Sequence, residues 1–296
     1  MFGTSSTATA ANSAGSGGSF LDSKGVLSQV LVGILSVLIV YILLAALEAA
    51  YNFVNRLHAN RTELLPITYN TEDMMYKIDQ NPNSKNSDVI HLSDNERSGP
   101  EFSYSFFVMA HASAFDSQHN GLVHIFHKGN PGMYPLLGPG VFMHANNNTL
   151  RVYMNTFSTW NTYVDVENFP ISKWVHVVLV CRSSHMEIYI NGNLKQRLPF
   201  DGSLPYQNYQ SIYAFKNDFY DINPHNMDDG DKNRFVVKGR MKGMLSRLYY
   251  FNYALSYTEI TTLMNEGPSS TLASLQNGGT APYLEDQWWT TNNFST

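Results

Sequence analysis

Val26 to Leu47 is a run of 22 residues without one charged side chain, bracketed by Lys24 and Glu48. As a helix it rises about 33 Å, enough to cross the hydrocarbon core of a bilayer. Only Ser28, Gln29 and Ser36 within it are clearly polar. A buried core helix and a cleaved signal peptide are the rival readings. A signal peptide carries an apolar stretch of roughly 7–15 residues and a small-x-small cleavage site. This run is longer, and Ala45-Ala46-Leu47-Glu48 offers no such site. The expected structure is therefore a retained transmembrane helix. One lysine flanks it on the N-terminal side, and Arg56 and Arg61 flank it on the other. The positive-inside bias then leans toward a C-terminal domain facing the cytosol.

Residues 1–25 are Ser, Ala, Gly and Thr with little else, and read as a flexible tail. Beyond the membrane run, Ala50, Phe53, Val54, Leu57 and Leu64 keep helical spacing. The helix is expected to continue to 65, where Pro66 stops it. Residues 66–99 are polar and read as a linker with one strand at most.

From Phe102 to about Gly243 short runs rich in aromatic and β-branched residues alternate with Gly, Pro and Asn clusters. That spacing predicts an antiparallel sandwich or barrel. Asn191-Gly192 marks a hairpin turn. Ser256 with Glu259 three residues later, then Ile260, Leu263, Met264 and a closing Gly267, predicts one helix with a capping box. Residues 268–296 form a polar tail interrupted by YLEDQWW.

Charged residues are 15% of the chain, the net charge is −5, and no Lys/Arg cluster occurs. This argues against nucleic acid as a partner. Cys181 is the only cysteine, so neither a disulfide scaffold nor a multi-cysteine zinc site can form within the chain.

Two stretches are more specific than composition. Lys173-Trp174-Val175-His176-Val177-Val178 leads, after a short turn, to Glu187-Ile188-Tyr189-Ile190-Asn191-Gly192. Gly243-Met244-Leu245-Ser246-Arg247-Leu248 leads to Asn252-Tyr253-Ala254-Leu255-Ser256 and Glu259-Ile260. Together, over about residues 100–267, they resemble the laminin-G-like branch of the concanavalin A-like lectin/glucanase superfamily. The resemblance implies an all-β, two-sheet jelly roll of roughly 12–14 antiparallel strands behind the single N-terminal transmembrane helix. It also implies an acidic residue where Ser246 stands, a departure that removes one polar contact of the pattern. Trp174 and His176 are expected in the core.

The candidate sites are few. Retaining glucanases place two carboxylates across a groove. Here Asp165 and Glu167 are the nearest string, without the third acid, and no catalysis is expected. Asp228, Asp229 and Asp231, with Asp218 and Asp221 nearby, are candidate oxygen ligands for calcium on a loop. No other cofactor is implied. His111, His119, His124, His127 and His144 cluster in sequence. Strand alternation puts His124 and His127 on opposite faces, which argues against a shared metal. Tyr206, Tyr209, Tyr213, Phe215, Phe219 and Tyr220 crowd one segment, half of them expected in the core. Trp288 and Trp289 in the tail are candidates for docking on a protein partner. Sequons at Asn60, Asn147 and Asn293 matter only for a lumenal domain, and in a chain with 29 Asn they arise readily by chance.

The expected function is a non-catalytic, membrane-anchored structural or binding module. The layout resembles minor capsid proteins of large DNA viruses, where it would link a virion inner membrane to a protein shell. The partners would then be that membrane and a neighbouring capsid protein. A cell-surface lectin or adhesion module binding glycan is the alternative. A carbohydrate hydrolase is a further one.

Overall fold

The structure, a computed structural model, describes residues 25–84, 87–93, 99–115, 120–222 and 234–273. The chain divides into two units, 1–59 and 60–296.

The first unit is helix α1, Val26–Ala59. Thirty-four residues rise about 51 Å. The most apolar window has a mean hydropathy of 3.0, and none of it is buried. The helix is thus long and apolar enough to cross a membrane. It ends at Ala59 rather than near 65. The expectation failed because Leu64 and Leu65 belong to a strand, where both are buried.

In the second unit the strands run in chain order. They are β1 (Arg61–Asn70), β2 (Tyr76–Ile78), β3 (Phe102–Ala110), β4 (Leu122–Gly129), β5 (Leu137–His144), β6 (Leu150–Met154) and β7 (Thr162–Val166). Then come β8 (Val175–Cys181), β9 (His185–Ile190), β10 (Asn193–Pro199), β11 (Ile212–Ala214), β12 (Phe219–Ile222), β13 (Phe235–Arg240) and β14 (Gly243–Phe251). Helix α2 (Tyr257–Glu266) follows.

Sheet A has the order β1-β14-β3-β8-β9-β10. Sheet B has the order β12-β13-β4-β5-β6-β7, with β11 on β4 and β2 on β11. All pairs are antiparallel except β13 with β4, which run parallel. The stretch read as a linker therefore contributes two strands, and the sandwich starts at Arg61. Pro66 is tolerated because β1 is a border strand whose register slips between Leu65↔Leu248 and Thr68↔Ser246. A residue with no N–H to donate fits such a slip.

The core lies between the sheets. Phe106 of β3 and Phe126 of β4 meet edge to face with ring centres 5.1 Å apart, both fully buried. Val175, Val177, Leu179 and Cys181 face that core from β8. His176, Val178 and Val180, on its other face, are buried too, as expected for a central strand. Trp174 is a correction. It precedes β8 and is only half-buried. Ser246 is fully buried, and its Oγ lies 2.8 Å from Thr68 Oγ1 and accepts from the Ser269 N–H at 2.9 Å. A hydroxyl thus keeps a polar contact at the position where the pattern has an acid.

Asn191 and Gly192 both have positive φ, at 48° and 75°, in the β9–β10 turn, the conformation that makes this dipeptide a hairpin signal. Helix α2 has the expected capping box. Ser256 accepts from the Glu259 N–H, and Glu259 accepts from the Ser256 N–H. Its Ile260 and Leu263 are buried. Ser256→Ala is expected to cost about 1 kcal/mol of stability in urea unfolding. No change in the midpoint would mean that α2 does not need its cap.

Candidate functional site

Alternation sorts sheet B into two faces. Val141 and Met143 of β5, Leu150, Val152 and Met154 of β6, and Val166 of β7 join the central core. The residues between them, Phe142, His144, Arg151, Tyr153, Tyr163 and Asp165, stand on the outer face. Part of that face is covered. Leu122, Met133, Leu137, Phe142, Tyr153, Phe235 and Val237 make a second buried cluster, with Trp160 packed against it.

Beside this cluster the outer face opens into a groove of about 550 Å³. Asn120, Gly121 and Leu122 line it at the start of β4. His144, Asn146 and Arg151 line it around the β5–β6 turn, and Asp221, Arg234, Val236 and Lys238 from β12 and β13. Gly121 has φ +141°, and a Cβ there would meet Lys238 Cγ at 3.3 Å and Val236 Cγ1 at 3.4 Å. Any larger residue would fill the space.

Arg151 and Asp165 are cross-strand neighbours on β6 and β7. Arg151 donates from Nε to Oδ1 at 2.7 Å and from Nη2 to Oδ2 at 2.6 Å, and its guanidinium lies 4.0 Å from the centre of the Tyr163 ring. Burial alone would raise the Asp165 carboxyl. The Arg151 hydrogen bonds and the nearby His144 outweigh it and hold the group well below the usual carboxylate range. Asp165 is thus a fixed anion with both oxygens taken by arginine, which does not suit the acid of a glycosidase pair, a group that must hold a proton. Glu167 lies beyond β7 and is exposed.

Asn146 donates to Asn120 Oδ1 at 2.9 Å across the groove. Asn146 Oδ1 and His144 Nε2 are buried and have no hydrogen-bond partner among the described residues; the latter is 3.5 Å from Asp165 Oδ1 but off hydrogen-bond geometry. Such atoms cost about 1–3 kcal/mol each when left unpaired.

His124 and His127 are corrected by the structure. They share a face and touch, Nε2 to Nδ1, at 2.7 Å. The pairing steps from His124↔Phe142 to Phe126↔Val141, so Ile125 is an extra residue in a bulge. Ile125 and Phe126 then both face the core, and the parity of the strand flips. The hydrogen bonds assign the tautomers. The Lys216 N–H donates to His124 Nδ1 at 3.0 Å, so His124 carries its proton on Nε2 and gives it to His127 Nδ1. His127 in turn donates from Nε2 to the Asn130 carbonyl at 2.9 Å. Both rings are neutral. Burial pushes His124 well below its ordinary value and His127 down to about 4. The pair is a closed structural relay, with each ring nitrogen already occupied by a hydrogen bond.

The remaining expectations separate. Asp218 pairs with Lys216, and Asp221 with Arg234 at 2.5 Å, so both acids are engaged by cations. Asp228, Asp229 and Asp231 lie outside the described residues, as do His119, Trp288 and Trp289. His111 is half-buried and caps a short 3-10 turn. Tyr213 and Phe215 are in the core, whereas Tyr209 and Phe219 are largely exposed. Asn60 and Asn147 are exposed. The groove itself was not foreseen. Its residues come from five strands, β4, β5, β6, β12 and β13, and the one local hint is the amide-rich Asn146-Asn147-Asn148 turn.

A laminin-G-type family, described as the concanavalin A-like lectin/glucanases superfamily, matches residues 84–261. No curated protein matches the chain. Among solved structures it is similar to the receptor binding domain of botulinum neurotoxin C/D mosaic serotype, at 12% identity and a TM-score of 0.41, over 56% of this chain and 36% of that one. It is similar also to the botulinum neurotoxin serotype D ligand binding domain in complex with N-acetylneuraminic acid, at 12% identity and 0.41, over 70% and 51%. A third is the botulinum neurotoxin DC binding domain in complex with rat synaptotagmin II, at 18% identity and 0.36, over 56% and 35%. The chain spans between about a third and a half of each of these.

Proposed function

This chain belongs to the concanavalin A-like lectin/glucanases superfamily, and from that premise we propose that it is a non-catalytic, membrane-anchored binding module whose sheet B groove takes a glycan. One observation carries the reading: the groove holds a buried amide oxygen, Asn146 Oδ1, with no hydrogen-bond partner among the described residues, beside His144 Nε2, which makes no hydrogen bond there and has only the Asp165 carboxylate near it, at 3.5 Å. A ligand rich in hydroxyls supplies both a donor and an acceptor at every position, which is what such atoms lack. Binding rather than hydrolysis is favoured by the commitment of Asp165 to Arg151. Helix α1 would tether the module to a membrane through its uncharged stretch. A role linking a virion membrane to a capsid shell needs a protein contact. Its sequence candidates, Trp288 and Trp289, lie outside the described residues.

The test is a glycan array probed with the full chain in detergent micelles. Bound glycans should lose affinity at least tenfold on Asn146→Ala, a half-buried turn residue whose loss leaves the core intact. An array blank for the wild-type chain would sink the reading.

A further inference from the structure

Among the described residues the charges of the groove do not pair off one to one. Three cations line it: Arg151, Arg234 and Lys238. Arg151 is matched by Asp165 through two hydrogen bonds. Arg234 is matched by Asp221, from Nε at 2.8 Å and from Nη2 at 2.5 Å. Lys238 makes no hydrogen bond or ion pair among the described residues, although it is half-buried and stands next to the bare backbone of Gly121. A half-buried cation is favoured by an anion brought to it, and a charge-assisted hydrogen bond is roughly twice as strong as a neutral one. The same groove holds Asn146 Oδ1 and His144 Nε2, neither of which makes a hydrogen bond among the described residues, and both suit hydroxyl groups.

We infer that the groove selects a saccharide bearing an acidic group, carboxylate or sulfate, which sits on Lys238 while the sugar hydroxyls meet Asn146 and His144. This rests on the glycan-binding reading. Arg234, at the same wall, is held by Asp221 through two hydrogen bonds and is not the anion's partner. Arg151 is locked to Asp165 and stacked on Tyr163, so it shapes the floor rather than competing for the anion.

Three matched probes separate the possibilities: lactose, 3′-sialyllactose for the carboxylate and 3′-sulfolactose for the sulfate. Titrated calorimetrically into the full chain in detergent, at least one acidic probe should bind tenfold or more tightly than lactose. The advantage should shrink as NaCl rises from about 50 to 300 mM, because exposed charge is screened. Lys238→Gln should abolish the advantage of the acidic probes over lactose; an advantage kept in this variant overturns the inference. Lactose binding as tightly as both acidic probes overturns the inference and leaves the glycan reading standing. So does an array that responds only to neutral glycans. A blank array overturns both.

Discussion

Between pH 7.5 and pH 4.5 the sandwich is expected to lose on the order of 5 kcal/mol of stability from His127 and His176 alone. Burial holds both down to about 4, against an ordinary value of 6.5. His124 is lowered further by burial and by its neighbours His127 and Lys216, and adds to the loss in the same direction. The unfolded chain takes up these protons as pH falls through 6.5, while the folded chain refuses them until about pH 4. Stability therefore rises with pH across this window and is fully present above about pH 6.5. Each depressed histidine contributes about 1.36 kcal/mol per pH unit within the window. Asp165, Asp218 and Glu187, whose carboxyls are lowered, extend the loss below about pH 4.5. For a domain of this size the melting temperature should fall by roughly 10–20 °C from pH 7.5 to 4.5. A fall under 3 °C would show that the buried histidines are solvated or already charged. His176→Gln should flatten the slope by about a third, since one of three sites is removed.

Phe106→Ala is expected to cost about 3–5 kcal/mol, the range for a fully buried aromatic in a well-packed core. Phe106 bridges the two sheets through Phe126, so the cavity opens at the centre of the sandwich, where neither sheet can collapse to fill it. Trp174→Ala should cost less than half as much, despite the larger side chain, because Trp174 keeps part of its surface in water. Guanidinium unfolding of the two variants decides the order. If Trp174→Ala is the more damaging, the inner wall of the sandwich has been placed wrongly.

That reversal between a phenylalanine and a tryptophan shows where sequence reading loses its grip. Features set by neighbours within a few residues were legible. Val26 to Leu47 had to be a long apolar helix because nothing in it could be left in water as coil. Asn191-Gly192 had to turn because both residues tolerate positive φ at low cost. Ser256 and Glu259 had to cap a helix because each satisfies a backbone N–H that the first turn leaves free. The order of the two long motifs carried the family and the sandwich.

What the sequence left undecided depended on pairing between distant strands. Leu64 continues a helical stripe when read alone, and Leu65 reads as the helix end. Only docking on β14, nearly two hundred residues later, makes them strand residues and lets Pro66 sit in a slipped register. His124 and His127 fall on opposite faces of an ideal strand. A single extra residue at Ile125 puts them together, and the adjacent apolar pair Ile125-Phe126 was the one local sign of it. The groove is the extreme case. Arg151 meets Asp165 only through the β6–β7 register, and Arg234, Lys238 and Asp221 arrive only because β13 lies parallel to β4. The sequence by itself determined the anchor, the turns and the cap, because local sterics and hydrogen bonding settle them. The tertiary structure decided which charges cancel and which remain, because electrostatic partners are chosen by distance in space.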